Sequence, residues 1–293
     1  MREKLTFSGH ESFICKQFWL KKVYDFAATK KKFSDDTSVI DLGVGKNMVS
    51  SLRYWGKVFG IMNEKDELTP LSNYLFGPKG QDPYLEDIGT IWLLHYNLIK
   101  LNKASIYSFI FNEFRKERID FTKEQLHAFL KRKCMELSPS TYNENTMTSD
   151  ISVFLRNYVK PHRDDKIEVE DDFSGILIDL DLVKTYKQKN DKGIETWYKI
   201  DTQERLELPV EIILYSILDN YKDQKTISFR ELLTGPGSPG SVFVLTADAL
   251  YYKLTQLTAR YKLLVYTETA GNQILQIKGS LDPQTILNEY YQG

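Results

Sequence analysis

The run LGVGKNMVSSLRYWGKVFG, residues 42–60, decides the architecture of the chain. Val44, Met48, Leu52, Trp55 and Phe59 recur at spacings of 4, 4, 3 and 4, which is one apolar face of an amphipathic helix. Gly43-Val44-Gly45 predicts a tight turn before that helix, and Gly60 ends it. The opposite face carries Lys46, Ser50, Arg53 and Lys57, with Asn47, Ser51 and Tyr54 beside them. Such a face suits a groove-reading helix, because phosphates attract cations while base edges need donors and acceptors.

Upstream, Val39-Ile40-Asp41-Leu42 predicts a short helix. Before it, Ser8-Gly9-His10-Glu11 has capping-box spacing for a helix whose apolar face is Phe13, Leu20, Tyr24 and Ala27. Downstream, Ile61-Met62, the charged turn Asn63 to Glu67, and Leu68 predict a small β-ribbon. Helix, short helix, glycine turn, amphipathic helix and ribbon, in that order, describe a winged helix-turn-helix over residues 1–80. Lys46, Asn47, Ser50, Arg53, Tyr54 and Lys57 are its expected DNA contacts, with double-stranded DNA as the partner.

Residues 81–200 read as a helical middle unit with an acidic linker. Asp82-Pro83 suits an N-cap followed by proline at N1, and Ile88, Ile91, Trp92, Leu94 and Leu98 form a broad apolar face. Thr122 and Gln125 have capping-box spacing, with Phe121 and Leu126 as a hydrophobic staple. Further helices are expected at 105–116 and 148–159, then an acidic stretch from Asp164 to Asp172 and a small hairpin containing Trp197-Tyr198-Lys199-Ile200. Residues 201–293 repeat the first pattern: helices from Pro209 and Ser228, a helix capped by Thr246, and a hairpin turning at Ala270-Gly271-Asn272. The last of those helices carries the stripe Ala247, Leu250, Leu254, Leu257 and Tyr261 and is expected to expose Lys253, Gln256 and Arg260. It lies in an acidic segment, which favours a protein contact, such as a homodimer, over DNA. The predicted fold class is therefore mainly α, with winged helix-turn-helix units at both ends flanking a helical middle unit.

The whole chain is 293 residues with a formal net charge of −1, which conceals a basic first half. Residues 1–60 carry 11 basic and 6 acidic side chains, so a polyanion would meet this end first. No apolar run approaches the ~18 residues of a membrane span, and the first residues have no apolar signal-peptide core. Cys15 and Cys134 are too few for a disulfide framework, so a cytoplasmic protein is expected.

Most catalytic patterns fail on inspection. Gly43-Val44-Gly45-Lys46 is no nucleotide loop, because Ile40 stands where the first glycine belongs and Asn47 where a Ser or Thr would hold magnesium. His10, His95, His127 and His162 have no zinc spacing with the two cysteines. Asp82, Glu86 and Asp87 are the best carboxylate cluster for gathering a divalent cation for phosphodiester hydrolysis. The competing explanation is that Asp82 caps a helix whose first turn is acidic. His10-Glu11 is a second pair, already accounted for by the capping box.

Three blocks carry a family resemblance: Phe7-Ser8-Gly9-His10-Glu11-Ser12-Phe13 with Trp19-Leu20-Lys21-Lys22; Leu42 to Val49 with Arg53-Tyr54-Trp55; and Asp82 to Thr90. Together they resemble the domain-of-unknown-function family 4007, a likeness that continues through Glu170 to Gly175 toward the C-terminus. The family includes the DNA-nicking component of a bacterial DNA-phosphorothioation system, which acts in phage defence beside sulfur-transfer and ATPase components. The resemblance implies DNA binding and magnesium-dependent nicking, without assigning metal ligands or catalytic residues. The alternative is a non-catalytic winged-helix DNA-binding regulator or adaptor of the same kind of gene cluster.

Overall fold

The computed structural model describes residues 5–161, 175–191, 193–269 and 271–293. Two compact units divide the chain, Met1–Ile200 and Asp201–Gly293. Residues 1–80 and 81–200, read apart in the sequence, fall within the first unit. The described residues are mainly helical, with two small antiparallel sheets.

In the first unit the helices are α1 (Trp19–Ala28), α2 (Ser38–Leu42), α3 (Lys46–Val58), α4 (Pro70–Phe76) and α5 (Ile88–Lys100). Then come α6 (Ser105–Phe109), a π-helical turn (Ile110–Phe114), α7 (Arg115–Glu117), α8 (Lys123–Leu137) and α9 (Glu144–Tyr158). Every residue of α5 from Gly89 to Ile99 is buried, which explains why its apolar face is so broad in sequence. Around it pack Tyr107, Phe111, Phe154 and Tyr158, all essentially inaccessible to solvent. His95 of α5 meets the Tyr158 hydroxyl at 2.9 Å, which satisfies a polar ring inside that aromatic cluster. Strands β1 (Asp120–Phe121), β2 (Lys184–Asn190) and β3 (Gly193–Lys199) form an antiparallel sheet in the order β1-β3-β2.

The local signals for α2, α3 and α8 work as expected. Gly43, left-handed at φ 63°, ends α2, and Gly45 stands at the N-cap of α3. At α8 the Thr122 side chain accepts from the Gln125 N–H while the Gln125 side chain accepts from that of Thr122. On α3 the fully buried positions are Ser51, Leu52, Trp55 and the following Phe59, joined by Val49 and Val58, while Val44 and Met48 stand at the stripe's edge.

The second unit contains α10 (Val210–Asn220), β4 (Thr226–Ser228), α11 (Phe229–Thr234), α12 (Pro239–Val242), α13 (Ala247–Arg260), β5 (Leu264–Thr269), β6 (Asn272–Ile277) and α14 (Pro283–Gln292). Its sheet has the order β4-β6-β5, antiparallel throughout. Thr246 caps α13 by accepting from the Ala249 N–H. Leu250, Leu254 and Leu257 form the buried stripe, with Ala249 rather than the exposed Ala247 beside them.

Four local expectations are corrected. Ser8 opens no helix, because α1 begins only at Trp19. The ribbon expected after α3 is a single bridge, Met62 to Leu68. Asp82 caps no helix: residues 82–87 form a loop in which Leu85 is left-handed at φ 57°, and Asp87 caps α5 by accepting from the Thr90 N–H. Lys253 is buried, its Nζ donating to the Leu208 carbonyl at 2.7 Å. The acidic stretch from Asp164 to Asp172 lies outside the described residues.

Candidate nucleic-acid interface

The segment before α1 is a loop because stronger partners outcompete its capping pattern. Ser8, Glu11 and Ser12 have φ of 70°, 48° and 64°, and Gly9 between them has 102°. Left-handed backbone at three non-glycine residues persists only where surrounding contacts enforce it. Those contacts come from α3 and α9. The Ser8 N–H donates to both carboxylate oxygens of Asp150, and His10 Nε2 lies 2.8 Å from Asp150 Oδ1. The Ser12 N–H donates to His10 Nδ1, which leaves Nε2 to carry the proton toward Asp150. Ser51 donates to the His10 carbonyl, Trp55 Nε1 to that of Phe13, and Arg156 to that of Ser12.

His10 and Asp150 are both buried, so this pair holds the loop rather than facing solvent. Glu11, which sequence spacing assigned to a capping box beside His10, is instead exposed at the loop's tip. Gly9 lies so close to Tyr54 that a Cβ there would approach the ring to 2.5 Å. Tyr54 is thus wedged beneath the loop, and burial, with Asp150 adding to it, pushes its phenol pKa far up. Tyr54, expected as a DNA contact, is half-buried and also packs against the loop.

Gly9 and Glu11 of the loop and the polar face of α3 together line a cleft of about 570 Å³. Lys46, Ser50, Arg53 and Lys57 line it, as do Asp35 and Asp36. Lys46, Asn47 and Ser50 are exposed. Arg53 and Lys57 are engaged by the turn after α3: Arg53 Nη2 lies 2.8 Å from Asp66 and Lys57 Nζ 3.0 Å from it. Asn63 fixes that turn by accepting from the N–H groups of Lys65 and Glu67, which places Asp66 against α3. Partial burial would raise the Asp66 pKa, but hydrogen bonds and charge from Arg53 and Lys57 outweigh it and hold the carboxyl below its usual range. Asp66 belongs to a charged turn visible in sequence, but its pairing with α3 depends on the bend of the chain after Gly60.

The three carboxylates considered for metal binding do not share a helix face. Asp82 is buried and accepts from the N–H groups of Glu86 and Asp87, while Asp87 accepts from Thr90. Their oxygens organise the loop and the start of α5. Among the described residues no group of three or more His, Cys, Asp and Glu stands close enough to hold a metal. These residues therefore do not fit a magnesium cage, which would need several oxygens aimed at one point.

Residues 7–291 match the family described as "Protein of unknown function (DUF4007)". The chain belongs to the DUF4007 family. It is similar to two solved structures, one described as an SspB crystal structure and the other as a magnesium ion-bound SspB crystal structure. Identity is 25% to the first and 26% to the second, each with a TM-score of 0.84, covering 98% of this chain and 88% of the other. Comparison with curated proteins gives no match. No helix among the described residues of this DUF4007 chain is long and apolar enough to cross a membrane.

Proposed function

We propose that this DUF4007 chain binds double-stranded DNA through α3 and nicks it with magnesium, as a cytoplasmic component of a bacterial DNA-phosphorothioation defence system. The observation that carries DNA binding is the exposed polar row of α3, Lys46, Asn47, Ser50 and Arg53, on a helix whose other side is buried. In this reading α2, the Gly43 turn and α3 act as a helix-turn-helix, with α3 as the groove-reading helix. Lys46 and Arg53 meet phosphates, and Asn47 and Ser50 offer hydrogen bonds to base edges.

The likeness to SspB, in one structure with magnesium bound, supports nicking and the defence context. Sulfur-transfer and ATPase components are the partners that context implies. Nicking rests on that likeness alone, since the described carboxylates offer no ready metal cage. The test is conversion of supercoiled plasmid to open circle by the purified protein with magnesium, stopped by EDTA. Plasmid binding without conversion would replace this reading with that of a DNA-binding regulator or adaptor. Absence of plasmid binding would remove both.

A further inference from the structure

A second groove lies on the other side of α2, with a volume of about 460 Å³. Val39 of α2 lines the first cleft, while Asp41 and Leu42 line this one, so a single short helix separates the two. Phe18 and Tyr84 line the second groove with 59% and 58% of their surfaces exposed. Both are far more open than aromatic rings usually remain, and their positions are unrelated in sequence. Phe18 precedes α1, and Tyr84 belongs to the loop fixed by Asp82. Lys21, Lys22 and Lys31 line the same groove and outnumber its carboxylates, Asp25 and Asp41.

The chemistry of that lining selects among occupants. A protein partner would welcome the aromatics, but protein interfaces are depleted in lysine. Exposed rings beside a row of cations are instead the arrangement that holds single-stranded nucleic acid, with bases stacked on the rings and phosphates beside the amines. The lysines are held by contacts that phosphate can replace. Lys21 and Lys31 are paired with Asp25 and Asp41 at the surface, and exchanging such exposed pairs for phosphate costs little. Lys22 donates to the Leu42 carbonyl at 3.0 Å, a neutral acceptor.

We propose that the groove bounded by Phe18, Tyr84 and Lys22 binds a single strand of DNA, adjacent to the duplex-binding face of α3. This rests on the reading of the chain as a DNA-binding protein, but it assigns a different substrate form to a different surface. A nicked or locally melted duplex would then be held at two places, paired DNA along α3 and an unpaired stretch across α2.

Fluorescence anisotropy with a labelled twelve-nucleotide oligothymidine and, separately, a labelled hairpin duplex tests this in the full chain. Phe18→Ala and Tyr84→Ala should each weaken oligothymidine binding about tenfold and leave duplex binding within about twofold. Phe18→Trp should restore the single-strand affinity, and its indole emission should be quenched on saturation. Lys22→Gln should lower the single-strand salt slope by about 0.7. Lys46→Ala with Arg53→Ala should do the reverse of the ring variants, weakening duplex and sparing oligothymidine. Loss of α3-dependent duplex binding in the wild type would therefore remove the duplex reading while leaving the groove intact. The groove proposal is overturned if the wild type ignores oligothymidine, if folded Phe18→Ala/Tyr84→Ala binds it unchanged, or if an abasic oligomer of equal length binds equally well.

Discussion

Helices α3 and α13 look alike in sequence, each an apolar stripe backed by cations and amides, yet their cations do opposite things. On α3, Lys46 is exposed, and Arg53 and Lys57, which line an open cleft, pair with the turn after the helix, both with Asp66 and Lys57 also with Glu64. On α13, Lys253 is buried and fastens the Leu208 carbonyl, while Arg260 clasps Glu211. A lysine on a helix is a surface charge or an internal fastener according to what packs above it, and spacing along the helix does not distinguish the two. That contrast is what makes α3 the better DNA candidate.

Four measurements would break or sharpen the contrast. Both stripes are core, so Trp55→Ala should cost about 3–5 kcal/mol and Leu254→Ala about 2–5 kcal/mol in urea unfolding. A loss below about 1 kcal/mol at either site would mean that helix is not packed as described.

Next in size, Lys253→Ala should destabilise by about 1–3 kcal/mol, because it strands the buried Leu208 carbonyl and removes the packed stem. Lys46→Ala should stay within about 0.5 kcal/mol, as surface substitutions do. Equal melting shifts for the two would erase the distinction between fastener and surface charge. Burial also lowers the Lys253 pKa, although Glu207 opposes this, so the folded chain binds fewer protons there than the unfolded one. Stability from this group should therefore rise as pH climbs from its lowered folded pKa toward the ordinary lysine value.

For DNA, Lys46→Ala with Arg53→Ala should reduce the duplex salt slope by about two units, roughly 0.9 per phosphate contact. Gln256→Ala with Arg260→Ala should leave the slope unchanged. A reversed result would move the duplex surface to α13.

The smallest effect concerns Asp66. Asp66→Asn should strengthen duplex binding a few-fold by releasing Arg53 and loosening Lys57, which Glu64 still holds, at a stability cost below about 1 kcal/mol because the pairs are partly exposed. With its folded pKa held below the unfolded value, the Asp66 contribution should be complete above about pH 4 and fade as pH falls through the folded pKa. Unchanged DNA affinity in Asp66→Asn would show that the Asp66 contacts do not restrain the α3 cations.

What was legible in the sequence was local. Thr122 with Gln125, Thr246 and the glycines at 43 and 45 lie within a few residues of what they cap or turn, and their patterns fixed α8, α13 and the entry to α3. The pattern put the N-cap at Asp82, five residues before Asp87, the residue that caps α5. The left-handed Leu85 lets the first carboxylate organise the loop while the second caps the helix. The Ser8 capping box misled for a different reason. Its competitor, Asp150, stands 142 positions away and was invisible to any local window. The cleft's basic lining was readable as the polar side of a helix, whereas its acidic lining and Asp66 depend on how distant loops return to α3.

That long reach from Ser8 to Asp150 has a consequence for how the protein is made. At about 5–20 residues per second, a ribosome that has made Ser8 needs roughly 7–28 seconds to reach Asp150 in α9. Until then the strained turn at Gly9 has no carboxylate to hold it and Tyr54 has no settled lid. The rim of the α3 cleft can thus mature only after most of the first unit has been synthesised. A nascent chain halted before Asp150 would carry the helix proposed to read DNA without the finished edge beside it.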